Sequence, residues 1–182
     1  MKDGKRNDAL MNYNSLTEEM IFDNKGKKLA IGKYEVPRVD TVFIKDRKFV
    51  AQKGNFFELV YHSKWDLYVE HLCRLEAPGA STGYGGTSET AAASSVSTLL
   101  TNDGVIDGAI YDLELPDGYK TKPYTIYWLK KNGDLNKFVN MRELKIFYKD
   151  KKDLFKEYSK KNHVKYQDQE SIIQLIEYLE SN

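Results

Sequence analysis

The chain has 182 residues, of which 41% are apolar and 30% charged, values that suit one soluble globular domain with a core of its own. A net charge of +1 supplies no bulk field for nucleic acid or a membrane surface. The single cysteine, Cys73, excludes an intramolecular disulfide and a cysteine zinc cluster, and no apolar run approaches the ~18 residues that span a bilayer.

Residues 1–12 are polar and read as a flexible N-terminal segment. "MKDGKRNDAL" carries charge without a hydrophobic stretch, so no signal peptide is written there. From residue 13 the pattern is that of hairpins. "EMIFDNKGKKLAI" sets Asn24-Lys25-Gly26 between two apolar runs, a turn with Gly available for positive φ. "VDTVFIKDRKFVAQKGNFFELVY" repeats the device at Lys45-Asp46-Arg47 and at Gln52–Asn55, which predicts a meander over 39–45, 47–52 and 55–61.

"DLYVEHLCRLEA" alternates Leu67, Val69, His71, Cys73 and Leu75 on one face, expected to be the inner one, with Tyr68, Glu70, Leu72 and Arg74 opposite. "APGASTGYGGTSETAAASSVST" then holds 18 Gly, Ala, Ser or Thr among its 22 residues. It reads as a loop joining two strands, with Ser94–Leu100 entering the sheet; a short helix across "SETAAASSVS" is the alternative. "AIYDLELP" alternates as a strand, and "KPYTIYWLKKNGDLNKFVN" as a hairpin turned at Asn132-Gly133.

At Asn140 the period changes to that of a helix, with Asn140 as N-cap and Glu143 three residues on. "DKKDLFKEYSKKN" puts Leu154, Phe155 and Tyr158 on one stripe. "DQESIIQLIEYLES" has Asp168 as N-cap ahead of Ile172, Ile173, Leu175, Ile176 and Leu179 at helical spacing. Strands first and helices last predict an α+β fold: an antiparallel meander-and-hairpin sheet over 13–139, open or barrel-like, with helices over 140–182 packed on the same core.

The Gly-rich stretch is no phosphate loop, because Gly83, Gly85 and Gly86 have no lysine in the required frame, and it lacks the dinucleotide spacing. Ser88 lies in Gly86-Thr87-Ser88-Glu89-Thr90, which lacks the second glycine of a nucleophile elbow. His62, His71 and His163 are scattered. His71 and Cys73 share the expected inner face, His62 ends a strand, and His163 lies where an imidazole can cap the last carbonyls of a helix. "FYKDKKDLFKEYSKK" has basic and aromatic residues, but Asp150, Asp153 and Glu157 interrupt it as on a solvated helix face, so no nucleic-acid partner is expected. Tyr124, Ile126 and Trp128 face opposite Tyr127 and Leu129, most simply as core. Nothing calls for a cofactor or a metal.

Charge is unevenly spread. The stretch from residue 75 to 119 carries seven acids and no Lys or Arg, between flanks of net positive charge. The plain reading is that long strands and loops there lack surface Lys; the sharper one is an acidic, Ser/Thr-rich face that prefers cationic or polyhydroxyl partners. The ligand contacts are expected at Gly83, Tyr84, Gly85, Gly86, Thr87, Ser88 and Thr90, where backbone access and hydroxyls coincide.

"LTEEMIFDNKGKKLAI", "VDTVFIKDRKFV" with "APGASTGYGGTSET", and "LPDGYKTKPYTIYWLKKNG" followed by "DLFKEYSKKNHVKYQDQESIIQLIEYLES" stand in an order that resembles a family of small, exported, functionally uncharacterised proteins of Bacteroidota. The resemblance covers residue 13 to the end and carries no catalytic residue. It implies a periplasmic or surface address after removal of a signal; without such a signal the chain is expected to be soluble and cytoplasmic. The functional expectation is a non-catalytic extracytoplasmic binding module whose partner is a protein, peptide or glycan. A small hydrolase with a Ser or Thr nucleophile and a histidine base assembled only in the fold is the alternative.

Overall fold

Residues 1–76, 80–81, 87–88, 115 and 117–182 are described by a computed structural model. Strands β1 (Met11–Asn14), β2 (Glu19–Asn24) and β3 (Lys27–Ala30) form a three-stranded antiparallel meander. Strands β4 (Thr41–Ile44), β5 (Arg47–Gln52), β6 (Asn55–His62) and β7 (Asp66–Glu76) continue as hairpins. A two-residue pair follows, β8 (Ala80–Ser81) with β9 (Thr87–Ser88). Last come β10 (Lys120–Lys131) and β11 (Asp134–Phe138). The second large sheet runs β11-β10-β7-β6-β5-β4. Among the described residues it is open, with β11 and β4 as its edges, so the barrel variant of the expected α+β fold is set aside and the open one holds.

The turns form where the sequence supplies residues that tolerate positive φ. Lys25 and Gly26 take φ of 55° and 85°, and Asn132 and Gly133 take 53° and 92°, the geometry of a two-residue hairpin turn. Asp23 Oδ1 accepts the Gly26 N–H at 2.7 Å, which closes the first of them. The three-stranded meander of β4, β5 and β6 follows the predicted boundaries closely.

Contacts divide the chain into two compact units, Met1–Phe57 with His71–Thr125, and Glu58–Glu70 with Ile126–Asn182. The first has a core of Met20, Val36, Val39, Val42, Phe49 and Phe56, with Tyr13 stacked on Phe49 at 5.6 Å. Residues 1–10 carry no regular element, yet Lys2 N–H donates to the Arg38 carbonyl at 2.9 Å.

In the second unit, helices α1 (Met141–Ile146), α2 (Lys152–Lys161) and α3 (Gln169–Ser181) join Leu67, Val69, Tyr127, Leu129 and Phe138 in one apolar core. Asn140 caps α1, its side-chain oxygen accepting the Glu143 N–H at 3.0 Å, while Glu143 accepts the Val139 N–H at 2.8 Å. Asp168 caps α3 through the Ser171 N–H at 3.3 Å. Ile172, Leu175, Ile176 and Leu179 are buried on the stripe that the periodicity predicts. None of these helices is long and apolar enough to cross a membrane among the described residues.

The expected inner face of β7 needs correction. Leu67 and Val69 are fully buried, but His71 and Cys73 are only half-buried. The helical core that covers Leu67 and Val69 does not include them, and the His71 ring instead meets Tyr13 and Phe49, each at 6.4 Å. Tyr68 and Glu70, on the face read as the outer one, are buried as well.

Candidate functional site

Most of the predicted ligand loop lies outside the described residues. Gly83, Tyr84, Gly85, Gly86 and Thr90 lie outside the described residues, as do residues 109–114 of the strand expected over "AIYDLELP", residues 94–100, and all but Ser88 of the helix alternative across "SETAAASSVS". Thr87 and Ser88 form β9, in register with Ser81 and Ala80. This small hairpin brings the Ala80–Ser81 and Thr87–Ser88 backbones side by side, so part of the loop has a ladder of its own.

The three histidines go to three different environments. His62 closes the β6–β7 hairpin opposite Asp66, and its Nδ1 lies 2.5 Å from Asp66 Oδ1. The second oxygen of that carboxylate accepts the Tyr68 hydroxyl at 3.0 Å. The imidazole is 74% exposed, so the pair is solvated on one side. Ser63, next in sequence, shares a side-chain hydrogen bond with Tyr61 and not with the imidazole. The pair thus orients a histidine without delivering a nucleophile to it.

Arg47 Nη2 lies 3.0 Å from His71 Nε2. A guanidinium only donates, so Nε2 accepts and the proton of the neutral ring sits on Nδ1. The same guanidinium lies 4.9 Å from the centre of the Phe49 ring. His71 is therefore part of a packed aromatic and cationic cluster with Tyr13, whose hydroxyl donates to the His71 carbonyl at 3.2 Å. His163 has a backbone role. It takes φ of 52° just after α2, while Val164 N–H reaches back to the Ser159 carbonyl at 3.1 Å. That is a helix stop of the Schellman type, in which the main chain rather than the imidazole satisfies the last carbonyls.

Three phenols in the second unit, Tyr61, Tyr148 and Tyr166, are held in their neutral form. Burial is the largest cause in each case. It pushes Tyr148 well above the ordinary phenol range, with the nearby Glu180 carboxylate adding to it, and raises Tyr166 to about 12. Tyr61 is raised too, again chiefly by burial and then by Glu180, to which its hydroxyl donates at 3.3 Å. Trp65 has the Lys131 ammonium 4.0 Å from its ring centre and the Tyr148 ring at 5.1 Å. Those contacts commit it to the architecture rather than to stacking on a ligand. A shallow cavity of about 300 Å³ lies beside it, lined by His62, Asp66, Lys130 and Asn132.

The first unit holds a larger concavity, a cleft of about 1120 Å³. Its walls include Thr41, Val42 and Phe43 of β4 with the preceding Val39 and Asp40, the residues from Gly4 to Ala9, and Ile31, Gly32, Tyr34 and Glu35. Two large side chains on these walls stand open to solvent, Phe43 at 65% and Tyr34 at 83% exposure. Charge on the walls balances, with Lys5, Arg6 and Lys48 against Asp8, Glu35 and Asp40. The sequence reading missed this cleft. "TVFI" carries no sign that one of its apolar residues faces water, since a short apolar run fits a buried strand and an edge strand equally well.

Chemically, the cleft offers apolar surface, exposed main chain and a mixed polar rim, which suits binding. Among the described residues no three His, Cys, Asp or Glu side chains converge as metal ligands. No known protein family, characterised protein or solved structure matches the chain.

Proposed function

We propose that the chain is a non-catalytic extracytoplasmic binding module, related to the exported Bacteroidota proteins whose segment order it resembles. The observation that supports binding is the cleft of about 1120 Å³ with Phe43 and Tyr34 exposed on its walls. Large aromatic side chains open to solvent at a concavity lower the free energy of association when they are covered. Gly83, Tyr84, Gly85, Gly86, Thr87, Ser88 and Thr90 would add hydroxyl and backbone contacts from the loop. The extracytoplasmic address rests on the resemblance alone.

The test is capture from envelope extract by the immobilised protein, compared with Phe43→Ala/Tyr34→Ala and Tyr84→Ala/Thr87→Ala variants. Phe43 and Tyr34 are surface positions, so their variant should stay within about 0.5 kcal/mol of the parent in stability. Its captured set should shrink. Unchanged capture by both variants refutes the reading. The His62–Asp66 pair keeps one second reading, a hydrolase in which a Ser or Thr is brought to that imidazole. Turnover of an ester or peptide substrate that His62→Ala abolishes would establish it.

A further inference from the structure

We infer that the occupant of the cleft is an extended polypeptide segment of a partner protein, added alongside β4 as a seventh strand of the six-stranded sheet. This rests on the binding-module reading and supplies its ligand class. Among the described residues the sheet order ends at β4, whose neighbour is β5 alone. The two strands pair with Ile44 opposite Arg47, Phe43 opposite Lys48, Val42 opposite Phe49 and Thr41 opposite Val50. A two-residue hairpin turn makes the pair next to it hydrogen-bonded, and the pattern then alternates. Ile44 and Val42 accordingly bond to β5, and the Ala51 N–H to Asp40 carbonyl bond at 3.5 Å continues the alternation one step further.

The peptide groups of Thr41 and Phe43 therefore point away from β5. Each offers an N–H and a C=O along the free edge, the arrangement that a partner strand completes. Side chains alternate with them, Val42 going into the core at 6% exposure and Phe43 standing out at 65%. The cleft runs past this edge.

The charge of the cleft favours a peptide over a polyanionic ligand. Its three bases and three acids give no single-sign field to hold a polyanion, which leaves main-chain hydrogen bonds and apolar side chains to supply the affinity. A second copy of the chain would have to bring its own β4–β5 hairpin into a space that residues Gly4–Ala9 already wall. One extended segment needs no such room.

The experiment is selection of a random peptide library displayed on phage against the immobilised protein, followed by affinity measurements on synthetic copies of the enriched peptides. Sequences with apolar residues at alternate positions should be enriched. Thr41→Pro deletes an outward N–H at an edge position, where proline is tolerated in a sheet, and should weaken binding at least tenfold. Thr41→Val keeps the N–H and should bind like the parent. In the unmodified protein, added peptide should slow hydrogen exchange at the Thr41 and Phe43 amides, a readout that holds even if Thr41→Pro does not fold. Equal binding by a folded Thr41→Pro, or exchange at both amides unchanged by saturating peptide, overturns strand addition. So does a concentration-dependent dimer that Thr41→Pro dissolves, which makes the occupant a second copy. If no peptide is enriched while Phe43→Ala/Tyr34→Ala still loses envelope capture, strand addition alone is overturned. Failure of both measurements overturns the binding-module reading with it.

Discussion

The indole N–H of Trp128 donates to the carboxylate of Glu70 at 2.9 Å, joining residues 58 apart in sequence. Glu70 is only 8% exposed, so this bond satisfies a carboxylate that has little water to turn to. Losing one partner of a buried polar pair costs more than the pair contributes, because the desolvated group is left short of a bond. Trp128→Phe should therefore destabilise the protein by about 1–3 kcal/mol in urea titration. Glu70→Gln, whose amide oxygen still accepts from the indole, should cost less. The reverse order would mean that the indole matters through its bulk and not through its N–H.

Ile176 tests the docking of α3. It is fully buried with Leu175 and Leu179 among the strand residues Leu67, Val69 and Leu129. Truncation to Ala removes buried methyl and methylene groups and leaves a cavity, which costs about 2–5 kcal/mol. A denaturation midpoint unchanged by Ile176→Ala would show α3 to be an undocked tail.

What was legible in the sequence was local. Asn132-Gly133 and Lys25-Gly26 announce their turns because few residues accept positive φ, and Asn140 and Asp168 announce helix starts because a short oxygen-bearing side chain must meet orphan N–H groups there. Alternation in β7 identifies its two faces but not what covers them. So the reading extended the inner face from Val69 to His71 and Cys73, which the helical core does not reach, and left Glu70 in solvent. The partner that buries Glu70 with a hydrogen bond, Trp128, lies on another strand. The same limit hid the cleft. That β4 is an edge follows from the order of the strands, which no run of four residues carries.

His163 marks a place where sequence and backbone disagree. Its φ of 52° is a conformation that glycine adopts without a Cβ penalty, and the residue is exposed on the surface just after α2. His163→Gly should relieve that penalty and stabilise the protein by about 0.5–1 kcal/mol, while His163→Val should destabilise it, since a β-branched side chain tolerates positive φ least. Calorimetric melting of the pair checks the ordering. If glycine lowers the midpoint, the imidazole makes a contact that outweighs the backbone term.

Alkaline pH should act on the buried phenols. Among the described residues the Tyr148 hydroxyl has no hydrogen-bond partner and, like Glu180 Oε1, is shut away from solvent. In the unfolded chain a tyrosine loses its proton near pH 10, whereas Tyr166 keeps it to about 12 and Tyr148 beyond the ordinary range. Above pH 10 the folded state thus binds more protons than the unfolded one, and stability falls as pH rises. The contribution is intact below pH 10 and declines through the window up to about 12 that Tyr166 defines. Tyr148→Phe removes both the stranded hydroxyl and one of these titrations. At pH 7 it should be at least as stable as the parent, with a gain of about 1 kcal/mol if no water meets the hydroxyl, because phenylalanine fills the same ring site against Trp65 and Phe155 without a polar atom to desolvate. Between pH 10 and 12 the variant's urea midpoint should fall less steeply than the parent's. A Tyr148→Phe protein that is clearly less stable at pH 7 would show that the hydroxyl is bonded, and parallel pH slopes would show that this phenol ionises no later in the folded protein than in the unfolded chain.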